Sequence, residues 1–198
     1  MKNNVRQPQQ ERSIEKKNKI IQAGYKLFAE VGYHGTNTAE IAKEAGVSTG
    51  AVYDYFCDKR DIMISVLHLY VENASRPVMQ ILTEAKPLDI PKVAAEILDK
   101  TVSIHRENAR LHNTLHALAA ADEAVNAAFI ALEDHVTQKV AEALAANGIQ
   151  RQHAAERVHL AMNMIQSFAH EYVFDKHEYI DYAAMRDIVC KQIVSLFE

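Results

Sequence analysis

Residues 38–59 read Thr38-Ala-Glu-Ile-Ala-Lys-Glu-Ala-Gly46-Val-Ser48-Thr-Gly-Ala-Val-Tyr53-Asp-Tyr55-Phe-Cys-Asp-Lys59. The apolar positions Ile41, Ala42, Ala45, Val47, Val52 and Phe56 are spaced to close a small core between two short helices. Thr38 is placed to cap the first, over residues 39–45, and Ser48 the second, over residues 49–56. Gly46 supplies the backbone freedom of the tight turn between them. Val47 fills the angle, and Ala42 is small where the two helices cross. Two short helices joined steeply through a glycine turn make a helix-turn-helix.

The second helix of this unit presents Thr49, Gly50, Tyr53 and Tyr55 outward. Its start carries Ser48, Thr49 and Gly50, whose hydroxyls and backbone amides suit phosphate oxygens. A helix of this size enters the major groove of DNA, which is about 12 Å wide. The first helix then crosses the sugar-phosphate backbone, with Thr38 at its start as a phosphate contact. The expected partner is double-stranded DNA. Phe56 reads as core. Tyr53 and Lys59 each admit a plainer reading, as a packed aromatic and a solvated first-turn lysine.

The segment from Gly46 to Lys59, preceded by Thr38-Ala-Glu-Ile-Ala42, resembles the DNA-binding domain of the TetR (tetracycline repressor) family. The resemblance extends back through Ile21-Gln-Ala-Gly-Tyr-Lys-Leu-Phe28-Ala-Glu-Val-Gly32-Tyr-His-Gly-Thr36 and covers residues 13–65. It implies a homodimeric transcription regulator, in most members a repressor released from its operator by a small molecule. By position, Thr38, Tyr53 and Lys59 match residues that hold the DNA backbone. Thr49, Gly50 and Tyr55 match residues near base edges or the adjacent phosphate. Asn37 departs from the pattern where a second Thr is common, and Tyr55 stands where His is most frequent. Ala39 offers no polar group to a base, so DNA shape is expected to share in selectivity.

Outward from this motif the chain reads as all-α, with about nine helices. A first helix over residues 13–31 carries the stripe Ile20, Gly24, Leu27 and Val31, with Ser13 as a candidate cap and Gly32 ending it. Asp58 is placed to cap a long helix from Lys59, which Pro77 should kink or interrupt. Lys86-Pro87 and Pro91 mark a loop. Helical patterns then cover residues 92–108, 109–120, 123–146, 151–174 and 182–196. Asp122 caps the third of these, and Asn147-Gly148 ends it. The organisation expected is a flexible polar tail over 1–12, a helix-turn-helix domain over 13–58 and a helical ligand-binding and dimerisation domain over 59–198.

Composition narrows the function classes. The 198 residues are 48% hydrophobic and 24% charged, with a net charge of −4. Residues 1–60 hold ten Lys/Arg against seven Asp/Glu, a net +3, which leaves the remainder at −7. A basic amino-terminal module on an acidic body suits a polyanion partner. No apolar run approaches the ~18 residues that span a bilayer, and the start has no signal-like apolar core. A cytoplasmic protein without a membrane partner is expected. Cys57 and Cys190 match no metal spacing and read as free thiols. No nucleophile elbow, phosphate loop or HExxH motif is present, so no enzyme and no cofactor are expected.

Three further readings concern the body. The last two long helices are the candidates for a homodimer interface, as half of a four-helix bundle. Ala161, Ala169, Ala183 and Ala184 would allow close approach there, or else face their own core. Phe129, Met162, Met164 and Phe168 are candidates for an adaptable ligand pocket, with simple core packing as the alternative. His105, His112 and His116 would share a face on one unbroken helix. A break near Asn108 argues against that, and no metal is expected.

Overall fold

Most helices of this chain begin where a side chain accepts the orphan amides of the first turn. Asn37, Ser48, Asp89 and Asp181 do so at four starts. The Asp58 carboxylate accepts from the Asp61 amide, and Asp122 from those of Ala124 and Val125. The computed structural model describes residues 11–85 and 87–198. Among them are nine α-helices and no strands: α1 Glu11–Glu30, α2 Thr38–Glu44, α3 Thr49–Tyr53, α4 Lys59–Glu84, α5 Ile90–Glu107, α6 Ala109–Ala121, α7 Glu123–Ala146, α8 Ala154–Phe174 and α9 Tyr182–Phe197. The all-α class and the helix number agree with the sequence reading.

Several boundaries differ. Of the polar tail expected over 1–12, residues 1–10 lie outside the described residues, while Glu11 and Arg12 open α1. Ser13 is therefore inside that helix rather than its cap. Lys86, read as part of a loop, also lies outside the described residues. Pro91 belongs to the first turn of α5, where its missing amide costs nothing. Pro77 sits inside α4, which runs on to Glu84. The helix expected over 151–174 starts only at Ala154, because His153 takes the left-handed conformation at φ 57°.

The chain forms two compact units, and they are not divided at residue 58. The first contains residues up to Tyr70 together with Arg110–Ile130; the second contains Val71–Ala109 and Ala131–Glu198. The reason is burial. Ile62, Met63, Val66 and Leu67 of α4 are fully buried, as are Ile20 and Phe28 of α1. A Cβ on Gly24 would come within 2.8 Å of Ile62 Cγ2, so α1 and α4 meet there at glycine distance. Leu111, Leu115 and Val125 are buried in the returning segment. In the same unit the Tyr70 hydroxyl lies 2.9 Å from His112 Nδ1, and Arg60 pairs with Asp122 at 3.6 Å.

In the second unit α5, α8 and α9 pack together. Ala94, Leu98, Ala161, Ile165, Phe168, Tyr182 and Ile193 form one core cluster. Leu82, Val93, Leu144 and Val158 form another, with Ile97 and Phe197 packed against both. Ala161 and Ala169 are turned into this interior, whereas Ala183 and Ala184 are exposed. No single helix among the described residues is long and apolar enough to cross a membrane.

Candidate nucleic-acid interface

The frame of the interface is apolar and closed. Ile41, Ala42, Val52 and Phe56 are buried, so α2 and α3 present only one side to solvent. Gly46 takes φ +68°, which a side chain would resist, and the Val47 amide reaches back to the Ala42 carbonyl at 3.0 Å. The turn read from the sequence is therefore built by backbone hydrogen bonds closed around that glycine.

The cap of α2 is a correction. Asn37, not Thr38, holds the N-cap, with φ −126° and ψ 166°. Its side chain accepts from the Glu40 amide at 3.0 Å, and the Glu40 carboxylate accepts from the Asn37 amide at 2.9 Å. This reciprocal pair is a capping box. It releases the Thr38 hydroxyl, which lies 3.0 Å from the Tyr53 hydroxyl. Two residues expected to meet the DNA backbone are thus tied to each other across α2 and α3. The Asn37-x-x-Glu40 spacing was present in the sequence as the signal for this cap.

Helix α3 is shorter than expected, ending at Tyr53 rather than residue 56. Ser48 caps it as expected, accepting from the Ala51 amide at 3.2 Å. Ser48, Thr49, Gly50 and Tyr53 are exposed, Tyr53 by 47%. A Cβ on Gly50 would meet nothing nearer than Ser48 Oγ at 4.0 Å. The glycine therefore leaves the surface open without being required by the packing of the chain itself.

Tyr55 and Lys59 are engaged within the unit. Tyr55 is half-buried, with its hydroxyl 2.9 Å from Ser13 Oγ on α1. The Lys59 ammonium donates to the Tyr33 carbonyl at 2.7 Å and the Thr36 carbonyl at 2.8 Å. It also lies 4.2 Å from the centre of the Tyr33 ring. Burial pushes its pKa down, with the charge of Glu40 opposing. Lysine has three donors, so these two bonds leave one for an external acceptor. The partners Ser13, Tyr33 and Thr36 come from the helix and loop that precede the motif, which is why the motif alone did not reveal them.

The other candidates are spread through the fold. Phe168 is in the α5/α8/α9 cluster, with Met164 packed against it. Met162 packs against the other cluster of that unit. Phe129 belongs to the first unit, 4.9 Å from the His116 ring. Met162 has polar company: Thr137 Oγ1 lies 3.5 Å from its sulfur and 3.5 Å from His159 Nδ1. Glu133 is one turn before Thr137 on α7. Burial raises its carboxyl pKa, the His159 charge opposes, and Asp134 adds to the rise. His105 lies on α5 and hydrogen-bonds the Thr101 carbonyl, while His112 and His116 lie on α6. Among the described residues no group of three metal-binding side chains forms.

Comparison with known proteins adds family and fold. Residues 20–66 match the family model of bacterial regulatory proteins, tetR family. The uncharacterized HTH-type transcriptional regulator YuxN of Bacillus subtilis (strain 168) is 39% identical over 80 residues, 40% of this chain and 26% of its own length. The HTH-type transcriptional regulator HbdR of Aromatoleum sp. (strain CIB) is 44% identical over 68 residues, 32% of this chain and 30% of its own length. The chain thus spans under a third of these curated relatives. A solved structure from Mesorhizobium loti, assigned to the tetR family of transcriptional regulators, covers 94% of this chain and 97% of its own, with TM-score 0.73 and 20% identity. RolR, solved with its ligand resorcinol, covers 94% of this chain and 89% of its own, with TM-score 0.63 and 17% identity.

Proposed function

We propose that this chain, whose residues 20–66 match the model of bacterial regulatory proteins of the tetR family, is a cytoplasmic, homodimeric repressor of transcription of that family that leaves its operator DNA when a small organic molecule binds the helical body. The observation that carries this reading is the exposed surface of α3. Ser48, Thr49, Gly50 and Tyr53 face solvent over a buried apolar frame, with Thr38 bonded to Tyr53 beside them. Hydroxyls and a bare backbone are what a groove-entering helix needs. Lys59 contributes its remaining donor to a phosphate, from a fixed position.

A single such unit reads a few base pairs. Two of them about 34 Å apart reach successive major grooves on one face of the duplex. Leu160 on α8 and Ile188 on α9 are 49% and 58% exposed, which suits burial against the same helices of a second copy. The effector reading rests on the body. Met162, Thr137, His159 and Glu133 combine an adaptable apolar side chain with convergent polar groups, the composition of a small-molecule site. Met164 and Phe168 then serve as packing partners of α8, which carries Met162 and His159, while Phe129 packs in the first unit. The resorcinol held by RolR supports an effector of similar size.

The test is an electrophoretic shift with the protein's own promoter DNA. Binding at low salt should weaken steeply as salt rises. Tyr53→Ala should lower affinity while sedimentation still reports a dimer. Absence of binding to every promoter fragment at low salt would overturn the regulator reading. A dissociated or unfolded Tyr53→Ala protein would assign that residue to packing instead. A thermal-shift screen of small organic molecules checks the effector, because a ligand of the folded state raises Tm.

A further inference from the structure

At the corner where α8 ends and α9 begins, three aromatic rings and one ammonium group come together. The Phe168 and Tyr172 rings stack with centroids 5.8 Å apart and planes 15° from parallel. Tyr182 stands edge-on to Tyr172, at 5.4 Å and 74°. The Lys176 ammonium lies 4.8 Å from the centre of the Tyr172 ring and 5.3 Å from that of Tyr182. Two ring faces within about 6 Å of one cation is the arrangement that attracts ammonium ions through the ring quadrupole.

The walls of this seat are fixed and its occupant is not part of a helix. Tyr182 is buried, and its hydroxyl accepts from the His177 amide at 2.8 Å and donates to a Glu171 carboxylate oxygen at 3.0 Å. Phe168 is buried behind Tyr172. Glu171 adds negative charge at the rim. Lys176, in contrast, is an exposed residue in the segment between α8 and α9. Its long side chain reaches the rings from outside, so an ion in solution can take its place.

We infer that the Tyr172/Tyr182 corner is a binding site for a soluble quaternary ammonium ion, with Lys176 as the internal occupant that such an ion displaces. A quaternary ammonium carries its charge on methyl groups with little hydration. It therefore loses less on leaving water than the lysine ammonium does, and it presents apolar surface to the rings. The site does not compete with the proposed subunit interface. On α9, Ile188 is six residues from Tyr182, and on α8, Leu160 is twelve from Tyr172. At 3.6 residues per turn, both separations turn the seat about 120° away from those exposed residues.

The full-length protein would be titrated with tetramethylammonium chloride, with sodium chloride at matched ionic strength as the control. Binding is read by saturation transfer to the methyl protons and by calorimetry. Lys176→Ala, which empties the seat, should bind about tenfold more tightly than the unsubstituted protein. Lys176→Arg, which refills it with a permanent cation, should bind no more tightly than the unsubstituted protein. Adding Tyr172→Leu to Lys176→Ala should abolish saturable binding, with circular dichroism reporting an unchanged helix content. The inference is overturned if Lys176→Ala gains nothing over the unsubstituted protein. It is equally overturned if Lys176→Arg binds as well as Lys176→Ala, a pair that stands on an exposed position whatever Tyr172→Leu does to folding.

Discussion

The first unit and the second use the same material, amphipathic helices, to different ends. In the first, the outward groups are placed by a network of short polar contacts. Asn37 and Glu40 cap each other, Thr38 meets Tyr53, Ser13 meets Tyr55, and Lys59 holds two carbonyls of the preceding loop. In the second, two apolar clusters carry the packing, and the ion pair of Arg186 with Asp99 lies at the surface. The proposed function accounts for the difference: a surface matched to a fixed duplex needs its side chains set in advance, and a body open to a ligand and a second subunit needs packed helices whose contacts can adjust.

That contrast can be broken by substitution, and the largest effect is expected in the body. Phe168→Ala removes a buried ring from the α5/α8/α9 cluster and should cost about 3–5 kcal/mol of stability, read as a lower Tm. DNA affinity of the protein that remains folded should change little. If affinity falls as far as stability, the two units do not divide the tasks. Next is Gly24→Val, which places a branched side chain against Ile62 and should cost about 1–3 kcal/mol by overpacking. Chemical denaturation measures it.

Asn37→Ala sharpens the comparison most. It removes the α2 cap at about 0.5–2 kcal/mol, and it also frees the helix start that aims Thr38. Operator affinity should therefore fall by more than the stability loss alone explains, by titration at fixed salt. The smallest effect belongs to Arg186→Met. Its partner Asp99 is well exposed, so the bidentate pair should contribute at most about 1 kcal/mol. The change in Tm should be close to the error of the measurement.

The sequence made the local features legible and hid those that depend on distant partners. The helix-turn-helix could be read because its core, turn and caps lie within 23 consecutive residues, Asn37 to Lys59. The misplaced cap shows the limit. Thr38 and Asn37 are both competent caps, and the choice follows from Glu40, three residues after Asn37. Lys59 looked like a free cation because the carbonyls that hold it are 23 and 26 residues earlier. In the body, residue type marked Phe168, Met162, Met164 and Phe129 as candidates for a pocket or for core packing. It could not say that they lie in three different packings, since that depends on which helices meet. The Lys176 seat was hidden for the same reason, being assembled from two helices and the segment between them.

The discontinuity of the first unit has a consequence for how such proteins are cut and recombined. The chain leaves that unit at Tyr70, re-enters at Arg110 and leaves again at Ile130. A fragment ending at residue 58 would lack Ile62, Met63, Val66 and Leu67 and so the floor on which α1 rests. Grafting this reader onto a foreign body therefore takes two inserted segments and three junctions. An exchange with one crossover at the end of the motif would leave a hydrophobic face bare on both products. Modules that look separable along the gene are interleaved in the protein, and gene fusions that respect the motif alone should yield insoluble chains.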